Sequence, residues 1–165
     1  MTACEALDKL LKAYVTYYNI ERENAVPPFS AEARFHSHGE QFFLVKSAKL
    51  SEAESAEHVF FATPEKLDVR LLNELDETAW NTGLSRVQPH SSHRNTDVVL
   101  VILADRVEDE AFAAVKKLRR YKSYSFGFKG WSNYKVIAFE TSSGRLTYNR
   151  QGQSLKKLFR NIFPK

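Results

Sequence analysis

The six-residue run Val98-Val-Leu-Val-Ile-Leu103 constrains this chain more than any other feature. An unbroken apolar run of that length, rich in β-branched residues, is what a strand covered on both faces requires. A strand over Asp97–Ala104 is therefore expected at the centre of a sheet, with helices on both sides. Leu, Ile, Val and Phe make up 44 of the 165 residues, which is enough to build such a core and excludes a disordered chain. One domain over residues 1–165 is the natural count for this length.

Around that strand the hydrophobic period alternates between helix and strand. Thr2 and Glu5 have the spacing of a capping box, and Leu7, Leu10, Leu11, Tyr14 and Tyr18 follow as one apolar stripe, with Pro27-Pro28 ending the element. From Phe29 the period becomes two, with Ala31, Ala33 and Phe35 facing a core and Glu32, Arg34, His36 and His38 facing water. Gln41–Leu50 reads as the returning strand, Ser51–Glu57 as a connection and His58–Thr63 as a third antiparallel strand.

Thr63-Pro64 has the form of a helix start, predicting a helix to about Thr82 with Gly83 as its stop, followed by a loop over Val87–Thr96. Asp105 and Glu108 repeat the capping-box spacing ahead of a helix to about Tyr121, whose stripe is Val107, Ala111, Phe112, Val115 and Leu118. Extended segments are expected near Lys122–Phe128, Asn133–Glu140 and Arg145–Asn149, the last two joined by a turn at Thr141–Gly144. A short helix over Ser154–Ile162 closes the chain. The order is helix, three strands, helix, strand, helix, two or three strands, helix. The expected fold is a mixed β-sheet flanked by helices, α/β or α+β in class.

Charge is distributed unevenly. Residues 1–115 carry 11 basic and 19 acidic side chains, a net of −8, whereas residues 116–165 carry 13 and 1, a net of +12. A basic C-terminal third hidden in a chain of net charge +4 points to an anionic partner, either nucleic acid or an acidic protein surface. Lys116, Lys117, Arg119, Arg120 and Lys122 precede Tyr124, Phe126, Phe128, Lys129 and Trp131. Cations that hold phosphates, interleaved with rings on which bases stack, are what single-stranded nucleic acid needs. Two structural readings compete. Cations near a helix C-terminus offset the helix dipole, and aromatics at period two can form one strand's core face.

Enzyme chemistry has weaker support. His36 and His38 share a strand face, and His90 and His93 in the later loop complete a set that would suit zinc or another divalent metal. No cofactor is otherwise expected. That set is the basis for the alternative of a small metal-dependent hydrolase or a degenerate nuclease. The helix, three strands, helix and strand resemble the core order of restriction-endonuclease-like folds, but Leu44-Val-Lys46 lacks the acid their chemistry requires. No G-x-S-x-G, glycine-rich phosphate loop or C-x-x-C occurs.

Cys4 is the only cysteine, so no internal disulfide forms and a reducing cytoplasm is expected. The acidic N-terminus and the absence of a long apolar run predict neither export nor membrane spanning. Phe126-Gly-Phe-Lys-Gly-Trp131 and Ser143-Gly-Arg-Leu-Thr-Tyr-Asn149 resemble segments of an uncharacterised bacterial protein family of similar length. That resemblance implies a soluble cytosolic protein and transfers no catalytic residues.

Overall fold

The computed structural model describes residues 1–37, 54–89 and 93–165, with residues 36, 37, 54, 93 and 94 described by backbone alone. Strand β5 (His93–Ala104) runs through the middle of the sheet, and every side chain from Val98 to Ala104 is fully buried. Beside it lie β3 (Glu54–Ala62) and β8 (Trp131–Glu140), both parallel to it. Outside β3 come β2 (Ala31–Ser37) and then β1 (Asn19–Glu21), each antiparallel to its inner neighbour. The far side of β8 pairs antiparallel with β7 (Tyr121–Ser123) at one end and β9 (Leu146–Tyr148) at the other. Among the described residues the result is a mixed seven-stranded sheet.

Two crossover helices set the parallel pairs, as parallel strands require. Helices α2 (Val69–Ser85) and α3 (Asp109–Val115) bury Leu72, Leu75, Trp80 and Val115 with Phe60, Leu100 and Val136 of the sheet. The opposite side takes α1 (Ala3–Tyr14) and α4 (Lys156–Ile162), where Leu7, Leu10 and Phe159 meet Val59, Val101, Leu103 and Phe139. The capping box of α1 forms as expected: the Glu5 amide donates to Thr2 Oγ1 at 3.2 Å and the Thr2 amide to Glu5 Oε2 at 2.7 Å.

Several local expectations give way to tertiary contacts. The first helix stops at Tyr14, and β1 fits between it and Pro27. β2 pairs directly with β3, so the three antiparallel strands are β1, β2 and β3; Gln41–Leu50 lies outside the described residues. The outer row of β2 is not uniformly wet, because Glu32 is buried against Arg86 of the α2 C-cap. Thr63-Pro64 does not start α2. The backbone from Pro64 to Leu67 is used by a two-residue parallel pair, β4 (Lys66–Leu67) with β6 (Arg106–Val107), and Asp68 caps the helix instead through the Leu71 amide at 2.7 Å. Gly83 is not a stop either. It lets α2 approach β5, since a Cβ there would lie 2.5 Å from Val98 Cγ2.

Val107 belongs to β6, and α3 begins at Asp109 and ends at Val115, short of Tyr121. Asp105 leaves its expected capping role because its Oδ1 accepts from the Ala3 amide at 2.7 Å, tying α1 to the end of β5. The final helix is preceded by a 3₁₀ turn over Gln151–Leu155. That turn is held by Asn149, whose Oδ1 accepts from the amides of Val136 (2.9 Å) and Gly152 (2.8 Å). Its Nδ2 donates to the carbonyls of Leu118 (3.1 Å) and Tyr134 (3.0 Å). Gly152 is obligatory here, because a Cβ would sit 2.2 Å from the Val136 carbonyl oxygen.

Candidate nucleic-acid interface

The basic stretch leaves α3 at its C-cap, Lys116, and runs into β7. Lys116, Lys117, Arg119 and Lys122 are exposed, and among the described residues no carboxylate pairs with them. Lys116 Nζ lies 5.8 Å from the Phe112 ring centroid and Lys122 Nζ 5.6 Å from that of Tyr124. Arg120 has a different place. It is half-buried and forks onto Asp76 of α2, with Nε to Oδ1 at 3.1 Å and Nη2 to Oδ2 at 3.0 Å. A guanidinium so engaged anchors the chain entering β7 and has little capacity left for a ligand.

Beyond Ser123 the expected extended segment becomes a tight turn, with a short 3₁₀ helix over Ser125–Gly127. Ser125 and Phe126 take φ of 50° and 55°, a left-handed conformation that side chains other than glycine seldom adopt. The turn is closed by its own backbone: the Tyr124 amide donates to the Gly130 carbonyl at 2.9 Å, and the amides of Gly127 and Phe128 close back on Tyr124 and Ser125, each at 3.0 Å. Tyr124, Phe126 and Phe128 therefore do not share a strand face. Tyr124 is half-buried with its hydroxyl 3.0 Å from Ser132 Oγ. Phe126 is 99% exposed and Phe128 85%. Lys129 is exposed beside them, and Trp131, the first residue of β8, is half-buried.

Two hollows open nearby, the first beside β7 and the second beside β9. The first, of about 390 Å³, lies between Arg119, Tyr121, Arg150 and Gln151 over a floor of Tyr134 and Asn149. The second, of about 440 Å³, is bounded by Lys116, Arg119, Tyr148 and Arg150. Tyr121 lies within the basic-aromatic run, whereas Arg150 is distant from it in the sequence. Arg150 reaches this surface only because the β8–β9 hairpin and the Asn149 bonds bring residue 150 beside residue 119.

A second polar constellation lies on the α1 side of the sheet. Where neighbouring rows are dry, β3, β5 and β8 carry Glu57, Asp97 and Lys135. Lys135 Nζ is 2.9 Å from Asp97 Oδ2 and 3.9 Å from Glu57 Oε2, and Tyr18 donates to Glu57 Oε1 at 2.9 Å. Asn133 Nδ2 adds a bond to Asp97 Oδ1 at 3.3 Å. Burial raises the Glu57 pKa, with Lys135 and Tyr18 opposing the shift; burial, then the Glu57 carboxylate, raises that of Tyr18.

Lys135 is the counter-charge that makes this arrangement tolerable, so Lys135→Met should leave two close carboxylates unneutralised. Glu57 already titrates above its unfolded range, which costs stability as pH rises through that range, and losing the ammonium widens the gap. The variant should lose about 2 kcal/mol near neutral pH and less near pH 4. Urea denaturation at the two pH values checks this; an equal loss at both would contradict the charge account.

None of the four proposed histidine side chains is described. His38 and His90 lie in segments not described, and His36 and His93 are placed on β2 and β5 by backbone alone. Among the described residues no three His, Cys, Asp or Glu side chains converge to hold a metal ion, and no helix is long and apolar enough to cross a membrane.

Residues 3–161 match the family described as Domain of unknown function (DUF8052). The chain belongs to that family. The match spans both faces of the sheet and the four α-helices of the described residues almost to the end of α4, so the family unit includes the two hollows and the exposed turn. No match is found among curated proteins or among solved structures.

Proposed function

We propose that this protein is a non-enzymatic binding module that takes single-stranded nucleic acid along its basic C-terminal third. The observation that carries the reading is the turn after β7, where two phenylalanines stand in water on a backbone closed by its own hydrogen bonds. Leaving two large rings exposed forgoes about 1.5–3 kcal/mol of burial for each. A left-handed φ at Phe126 adds local strain. Exposed rings on a closed turn, flanked by Lys122 and Lys129, supply stacking platforms, and the cations from Lys116 to Arg119 supply phosphate contacts. Arg120 serves the fold in this account.

The two kinds of contact separate by salt response. Affinity for a single strand should fall with rising salt by roughly 0.7 in logarithmic slope per phosphate contact, and replacing Lys116 and Lys117 with Gln should flatten that slope. Phe126→Ala or Phe128→Ala should weaken binding by about 1–3 kcal/mol with the slope unchanged. Fluorescence anisotropy with labelled dT12 and its RNA counterpart, titrated at two or more salt concentrations, measures both. Absence of retention on either strand at low salt would end this reading.

A further inference from the structure

The hollow beside β7 and the hollow beside β9 share Arg119 and Arg150 in their linings. Both guanidinium groups are exposed, and neither has a carboxylate partner among the described residues. The backbone positions that carry them are tied together from below. Asn149 Nδ2 donates to the Leu118 carbonyl, so one amide joins the residue before Arg119 to the residue before Arg150. All four hydrogen bonds of that amide are internal, which makes the floor a rigid mount. Each hollow has an aromatic wall. Tyr121, 63% exposed, stands in the first. Tyr148 stands in the second, with Lys156 Nζ 5.7 Å from its ring centroid.

We infer that these hollows hold two consecutive nucleotides, with the phosphodiester between them gripped by Arg119 and Arg150. The planar guanidinium fork matches a phosphate in a way an ammonium does not, and two forks on one ridge address the non-bridging oxygens from both sides. Each hollow is of the size that takes a small ligand. One hollow alone would suit a mononucleotide, but two that share their cations favour a linked pair. The inference rests on the nucleic-acid reading and locates its phosphate grip away from the exposed turn, at residues 31 positions apart in the chain.

The test uses the full chain, with dT12 and the dinucleotide dTpdT as probes and inorganic phosphate as the control. The Arg119→Gln/Arg150→Gln double variant should keep its thermal stability, because neither side chain bonds to the fold. It should bind dT12 at least about tenfold more weakly, with the salt slope lower by about 0.7, one phosphate's worth. Binding of dTpdT should vanish. Arg119→Lys/Arg150→Lys should keep the slope yet lose affinity, since charge is retained and the fork is not. If wild type binds dT12 and the Gln double variant matches it in affinity and slope, the inference fails while the broader reading stands. If inorganic phosphate competes as well as dTpdT does, the site is for a lone anion and the inference again fails. If wild type binds no dT12, the nucleic-acid reading itself is lost.

Discussion

Leu100→Ala and Leu103→Ala are each expected to lower unfolding stability by about 2–5 kcal/mol, the combined cost of lost transfer energy and the cavity left behind. Both side chains are fully buried on β5, but they point to opposite faces. Leu100 packs within the cluster containing Phe60, Leu72 and Val136, under α2 and α3. Leu103 packs within the cluster containing Leu7, Phe139 and Phe159, under α1 and α4. A strand wet on one side would show one large loss and one small one. Here both should be large, and the double variant should lose nearly the sum, because the sites lie in separate cores with no shared partners. Urea denaturation of the three variants tests this, and a loss under about 1 kcal/mol at either site would contradict burial on both faces.

That strand was legible because its signal is entirely local: seven side chains from Val98 to Ala104 need no partner to announce that they avoid water. The α1 capping box and the turn at Thr141–Gly144 were legible for the same reason, since their hydrogen bonds span only a few residues. Local signals misled where distant backbone competed for the same atoms. Pro64 could open a helix, but the β4–β6 pair uses the following residues in extended form. Asp105 has a capping spacing, yet its carboxylate meets the amide of Ala3, far away in sequence. Period-two aromatics suggested a strand face at Tyr124, Phe126 and Phe128, and the positive φ of Ser125, Phe126 and Gly127, uncommon for the first two residue types, breaks that pattern.

The candidate sites divide along the same line. The cations from Lys116 to Lys122 were visible as a run, but Arg120's bond to Asp76 was not, nor was the arrival of Arg150 beside Arg119. The Glu57–Asp97–Lys135 group was invisible because it is made by register. Glu57 faces Asp97 across β3 and β5, and Val99 faces Lys135 across β5 and β8, pairings that sequence spacing does not specify.

Glu140→Gln should cost about 3–5 kcal/mol, because it removes the negative charge and one of the two acceptor oxygens around which the end of β8 is built. Glu140 is buried and accepts from the Val107 amide at 2.6 Å, from Arg145 Nε at 2.9 Å and Nη2 at 3.1 Å, and from the Ser143 hydroxyl. Arg145 in turn donates to the Val107 carbonyl and to Asp109, and its guanidinium lies 4.7 Å from the Phe112 ring centroid. One ion pair thus joins β6, α3, β8 and the turn before β9. The Arg145 hydrogen bonds, helped by Ser143 and the Val107 amide, hold the Glu140 carboxyl at about 2. A folded pKa below the unfolded one gives stability that is complete above the unfolded value, near 4.5, and is lost as pH falls through the folded one. A depression of that size corresponds to about 3 kcal/mol, in line with the expected mutational loss. Wild-type stability should therefore fall between about pH 4.5 and 2 more steeply than that of Glu140→Gln, whose amide cannot titrate, and the two curves should converge at the acid end. Urea midpoints across that range measure the difference; parallel curves would mean that Glu140 is not the residue whose protonation loosens this end of the sheet.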